Sequence, residues 1–296
     1  MSNSVMMKKD PVIKAKTRHA LPIRVELIRQ LKRRRTLVAF LLVLALPLIV
    51  VAAVKFGPSA EGNSNGGGGF GDGDLDLVGL ATAGGWNFAL TMIFFASGFL
   101  LLILVAMFTG DTVASEASWS TLRYLLIAPV PRRKLLWSKL VVGLLLSIAS
   151  IAVLLAFSYL VGLIAFGSNP LTTPTAGVLS NSEALMRISI IGGYIFISLL
   201  FAAGVAFLMS VLTDVPLGAV GSAVVIVIVS NILDAIDALG DLRQWLPTEY
   251  GSAWIGALDS EIQWGDMLRG TSYSLIAFTI LVGFAVYKFD RKDITS

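Results

Sequence analysis

The chain has 296 residues, of which 56% are apolar and 14% charged, with a net charge of +4 and a mean hydropathy of +0.81. Soluble domains carry about 25% charged residues, so this chain has too little polar surface to cover a water-soluble globule, and lipid suits the excess. With no cysteine and a single histidine, His19, it excludes disulfide frameworks, thiolate nucleophiles and cysteine metal sites.

The basic residues flank apolar runs, which points to anionic lipid headgroups rather than nucleic acid. Residues 1–36 read as a cytoplasmic and interfacial segment. Pro22 suits the first turn of a helix. Ile23, Leu27, Ile28 and Leu31 fall on one helical face and Arg24, Arg29, Lys32 and Arg33 occupy the remainder. The pattern predicts an amphipathic helix in the inner leaflet, which also serves as a positive anchor. The apolar run 37–54 that follows exceeds the roughly 7–15 residues of a secretory signal core and reads as a retained first span.

Five further stretches approach the length of about 20 apolar residues that a spanning helix needs, at 86–108, 135–166, 188–212, 215–233 and 272–287. Residues 37–289 are thus read as one six-span membrane region, and 290–296 as a cytoplasmic tail. With the amino terminus inside, 19 lysines and arginines lie on the cytoplasmic side and 4 on the other. That bias places both termini in the cytoplasm, in a cell inner (plasma) membrane.

The outer segments differ in character. Residues 57–76, with four consecutive glycines and Asp72, Asp74 and Asp76, read as an acidic tether. Alternating aspartates could supply oxygen ligands to calcium, but the repeat and the glutamate of calcium loops are absent. Residues 167–186 are turn-rich. Residues 234–270 carry Trp245, Trp254 and Trp264 among seven acids, which predicts short helices at the outer interface.

No Asp, Glu, Lys, Arg or His falls within the six spans, with Lys139 assigned to a cytoplasmic first turn of the third run. This argues against a midplane proton relay. No His-Glu-x-x-His, Gly-x-Ser-x-Gly or Gly-x-x-x-x-Gly-Lys-[Ser/Thr] pattern is present. The expectation is a chain that is not an enzyme and binds no cofactor or metal, so energy for uphill movement comes from another polypeptide. Asn87 and Asn231, near outer span ends, read as helix caps or interhelical hydrogen-bonding groups, with contact to a substrate the sharper alternative.

Residues 110–139 carry the most functional information. Trp119, Leu122, Leu125 and Leu126 repeat at helical spacing, Ser115 is placed to cap with Glu116 in the first turn, and Pro129 and Pro131 end the run. A helix with one apolar face is predicted beneath the membrane, either received by a partner or packed on the protein's own inner face.

The order Glu116-x-x-x-Ser120-Thr121-Leu122-Arg123-x-Leu125-Leu126-x-x-Pro129-Val130-x-Arg132-x-x-Leu135-Leu136-x-x-Lys139 resembles the central motif of type-2 ATP-binding-cassette (ABC) permeases. Ser120 stands where that motif has glycine, and Pro131 where it has serine. Glu26-Leu27 ahead of the basic run 32–35 is similar to the family's opening helix. The run from Leu246 to Tyr250, followed by Ala253-Trp254, looks like the outer segment of one branch.

The resemblance implies an all-α integral membrane protein of six transmembrane helices. It adds an interfacial amino-terminal helix, a cytoplasmic coupling helix between spans 2 and 3, and short outer helices between spans 5 and 6. It implies a permease paired with a second copy or a paralogue and powered, most often for export, by separate ABC ATPase subunits that hold ATP and Mg. The coupling residues would be Glu116, Trp119, Thr121, Leu122, Arg123, Leu125, Leu126 and, on a second contact, Asp214. Phe88, Thr91, Phe95, Phe99, Val227 and Asn231 would line the path. A membrane scaffold or sensor that docks a partner without moving a solute is the alternative.

Overall fold

The computed structural model describes residues 23–56, 77–118, 132–173 and 176–291. The tether at 57–76 and most of the predicted coupling helix, 119–131, lie outside the described residues. Helix α1 (Ile23–Leu31) leads through a short turn into α2 (Arg34–Phe56). Thr36, Ala39, Val43 and Pro47 form one buried stripe on α2, and the rest of this apolar helix faces outward.

The second predicted span is two helices, α4 (Gly85–Gly98) and α5 (Leu100–Ser118), preceded by a short α3 (Leu77–Thr82). They are broken at Phe99, whose φ of −141° and ψ of −50° are not helical. Helix α5 runs on through Gly110 to Ser118, beyond the predicted span end at 108. A separate helix capped by Ser115 is therefore not formed: the Ser115 hydroxyl donates to the carbonyl of Asp111, one turn back in the same helix.

Helix α6 (Arg132–Phe166) has 35 residues and so is about 50 Å long, well over the roughly 30 Å of a bilayer's hydrocarbon. A small antiparallel hairpin, β1 (Leu171–Thr173) and β2 (Gly177–Leu179), follows. The fourth span is α7 (Asn181–Ser198) and α8 (Leu200–Leu212), interrupted at Leu199. The Ser180 hydroxyl caps α7 by accepting from the Glu183 N–H. Pro216 opens α9 (Pro216–Asp234) where its missing N–H costs nothing. Two 3-10 segments, Asp237–Trp245, kinked at Gly240 (φ 50°), and Ala253–Leu258, precede α10 (Trp264–Asp290). Among the described residues six helices or helix pairs are long and apolar enough to cross a membrane, so the chain has the architecture of a multi-pass membrane protein.

Helix α5 is the centre. In its most apolar window 78% of the residues are buried, against 17% for α2 and α9 and 22% for α10. It packs on α6, α8 and α9. Between helices already surrounded by hydrocarbon, close packing replaces the hydrophobic effect as the adhesive, and small residues permit it. A Cβ on Gly143 of α6 would stand 2.7 Å from the Phe108 carbonyl oxygen of α5, and one on Gly162 would stand 2.7 Å from Phe88 Cβ of α4. The Ser210 hydroxyl of α8 accepts from the N–H groups of both Val113 and Ala114.

The hairpin end is closed by side-chain hydrogen bonds to backbone. Asn87 donates to the Thr172 carbonyl at 2.7 Å and accepts from the Thr172 N–H at 3.1 Å, which joins α4 to β1. The buried Arg187 guanidinium donates to the carbonyls of Ala257, Asp259 and Ser260 and so holds the end of the second 3-10 helix. Tyr194 donates to the Tyr250 carbonyl at 2.6 Å.

Gly143→Ala should lower the thermal unfolding temperature in detergent, by an overpacking cost of about 1–3 kcal/mol. Gly283→Ala, on an α10 position with open space around it, should leave that temperature unchanged or slightly raised. Equal behaviour of the two variants would refute the α5–α6 contact as drawn.

Candidate functional site

At the end of the bundle opposite the hairpin, α1, the end of α5 and the start of α6 enclose a cluster of charges. The face of α1 turned inward is polar: Glu26 and Gln30 are buried, whereas Ile23, Val25, Ile28 and Leu31 are 40–45% exposed. Leu27 alone of the predicted apolar face packs partly on the core. The helix is amphipathic, but its apolar row faces outward.

The inward face turns to Lys139, which is 2% exposed. Solvent therefore does not satisfy this ammonium. Its Nζ lies 2.6 Å from Glu116 Oε1 and 3.6 Å from Glu26 Oε1, and donates to the Thr112 carbonyl at 3.2 Å. Arg29 bridges the same carboxylates, with Nη2 2.8 Å from Glu26 Oε1 and 2.5 Å from Glu116 Oε1. Gln30 Nε2 adds a hydrogen bond to Glu26 at 3.1 Å. Two cations and two anions from three helices thus neutralise one another, with Arg29 partly exposed and the other three buried, the arrangement that makes buried charge tolerable.

Beside it, Asp111 takes Arg33 at 3.2 Å and Arg35 at 2.5 Å, and Arg33 also reaches the Ser115 hydroxyl. These contacts tie the α1–α2 turn to α5. Burial by itself would raise the Glu26 carboxyl, but Lys139 and Arg29 outweigh it and hold the group below its ordinary value of 4.5. Burial would likewise lower Arg29, and the hydrogen bond to Glu116 with the charge of Glu26 raises it instead.

The same end carries the three-residue turn between α8 and α9, where Asp214 is exposed and Val215 N–H donates to the Thr213 hydroxyl. Arg133 at the start of α6 pairs with Asp290 near the end of α10 at 2.7 Å. Of the expected coupling residues, Glu116 and Asp214 are therefore at one end of the molecule. Trp119, Thr121, Leu122, Arg123, Leu125 and Leu126 lie outside the described residues.

The expected path residues are not gathered on one surface. Phe88 and Thr91 are buried inside the chain, Phe88 against Phe166 and Thr91 bonded to the Asn87 carbonyl. Phe95 and Phe99 are 41% and 57% exposed, Val227 is half-buried on α9, and Asn231 is exposed. Among the described residues no three His, Cys, Asp or Glu side chains are placed to hold a metal ion.

Sequence reasoning did not assign Arg29, Gln30, Arg33, Asp111 or Lys139 to the site. The available signal was Lys139 itself, a lone cation within an apolar run, which demands an anion from elsewhere in the fold. The chain belongs to the DUF2705 family, described as a protein of unknown function, whose model matches residues 70–295. No curated protein matches it.

Lys139→Met should cost about 3–5 kcal/mol, because it leaves two buried carboxylates to share the single Arg29 guanidinium. The double variant Lys139→Met/Glu116→Gln should be more stable than the sum of the single losses by about 1 kcal/mol or more, measured by thermal unfolding in detergent. The depressed Glu26 carboxyl contributes stability that is complete above pH 4.5 and is lost as pH falls through its lower folded value. Glu26→Gln should remove that part of the acid sensitivity, and an unchanged profile would rule out the pairing.

Proposed function

We propose that the chain is the membrane-spanning permease subunit of an ABC transporter, forming the path for ATP-driven export. Separate ATPase subunits supply the energy, and a second copy or a paralogue completes the path. The observation that carries this reading is the buried convergence of Glu26, Glu116 and Lys139. These residues belong to the two segments that resemble the opening helix and the central motif of type-2 ABC permeases, and they are 90 and 23 residues apart in the chain.

The geometry gives the coupling a physical route. Residues 119–131 connect the end of α5 to the start of α6, and both ends are fastened in the ionic cluster. A force applied to that connection by a cytoplasmic ATPase reaches the central helix and the longest helix together. Glu26 and Arg29 pass it on to α1 and the first span. The outward apolar row of α1 suits the inner-leaflet interface, and the exposed α8–α9 turn with Asp214 gives the ATPase a second contact on the same side. The 19-to-4 distribution of basic residues supports a cytoplasmic position for this end and for both termini, in the plasma membrane. In this reading the chain has no catalytic residue, and ATP and Mg reside on the partner.

A tagged chain expressed with its neighbouring genes should co-purify in mild detergent with a stoichiometric phosphate-loop ATPase. Arg123→Ala and Asp214→Ala should reduce ATP hydrolysis by the reconstituted complex several-fold while membrane yield stays at the parental level. A pure chain without an ATPase, or a partnered complex that moves no solute, would turn the assignment toward a scaffold.

A further inference from the structure

We propose that the groove between α6 and α7 is a specific site for one acyl chain of a bilayer phospholipid, drawn from the leaflet at the hairpin end. The groove has a volume of 690 Å³, with Ala89 of α4 among its lining residues, walls that include Ile151, Leu155, Ile188 and Phe196, and no charged residue. A charged or strongly polar occupant would lose its hydration there without replacement. The surrounding surface is the exposed apolar surface of spanning helices, with Ile148, Leu160 and Leu185 45–57% exposed at its edges, so the groove is continuous with the lipid-facing boundary.

Its dimensions favour a single chain. From Ile148 to Leu160 the α6 wall rises about 18 Å. One leaflet of hydrocarbon is about 15 Å deep. Trp86 and Tyr159 stand at the hairpin end with ring centroids 4.1 Å apart, and Trp86 donates to Asn181 at 3.1 Å. Such half-polar rings belong where headgroup meets hydrocarbon.

The two adjacent glycines of α7 separate packing from an open cavity. A Cβ on Gly192 would meet Leu155 at 2.9 Å, so that glycine serves the α6–α7 contact. A Cβ on Gly193 would meet nothing within 4 Å, although Gly193 lines the groove. Gly193 therefore puts no side chain into the groove, and a large residue placed there would fill it.

The site requires only that these helices lie in a bilayer, so it stands or falls independently of any ATPase. The test uses the full chain in nanodiscs of phosphatidylglycerol and phosphatidylethanolamine, doped with a phospholipid bearing a diazirine in its acyl chain. After irradiation, adducts mapped by mass spectrometry should fall on residues 148–160 and 185–196 in several-fold excess over the outward face of α10. Gly193→Leu should abolish the excess, and Gly283→Leu, a membrane-facing control on α10, should leave it intact. Equal labelling of the groove and α10, or an excess that survives Gly193→Leu, would overturn the proposal in favour of ordinary surrounding lipid. Labelling of the groove below that of α10, from a chain that runs as a dimer in the nanodisc, would overturn it in favour of a second copy of the chain.

Discussion

The buried pairing of Lys139 with Glu116 and Glu26 is the constraint on which one end of this molecule depends. An ammonium at 2% exposure has no water to solvate it, so carboxylates must come to it from other elements. Glu116 comes from the last turns of α5, and Glu26 comes from a helix outside the six spans. Satisfying this one cation therefore fixes how α5, α6 and α1 meet and which way α1 faces. Arg29 completes the set by binding both carboxylates, and removing any member leaves charge without a counterpart.

The opposite end uses another chemistry. Asn87, Arg187 and Tyr194 bind main-chain groups of the hairpin and of the outer 3-10 segments. Each interaction gives a non-helical carbonyl a donor close to the membrane boundary, where irregular backbone requires one. Between the ends the helices adhere through close approach, with Gly143 against Phe108 and Gly162 against Phe88. The ionic end connects three helices through ion pairs, and the hairpin end binds main-chain carbonyls with side-chain donors, one of them the Arg187 guanidinium.

The central position of α5 joins these features. It carries Asp111 and Glu116 into the ionic cluster, receives the Ser210 hydroxyl from α8, and begins just after the non-helical Phe99. In the proposed permease, residues 119–131 join this helix to α6 in the chain. A displacement there meets the most buried helix of the bundle and the longest helix together.

Much of the architecture was legible in the sequence. Six apolar runs announce six spanning elements because a bilayer has a fixed thickness and exacts a minimum length from each. The turn before Pro216 and the short helices after Asp234 follow from local chemistry within a few residues. The ionic end was legible as motif but not as geometry. Glu116 and Lys139 stood together in the segment that resembles a permease motif, yet the run of Glu116 into α5 and the inward turn of the polar face of α1 depend on what stands opposite them. The break at Phe99, the burial of Phe88 and Thr91 and the open space at Gly193 likewise depend on neighbouring helices. Sequence by itself determined which segments enter lipid, since hydropathy is a property of each segment alone. Only the tertiary structure decided which buried charges meet and which helix faces turn inward, since pairing and packing are properties of segments far apart in the chain.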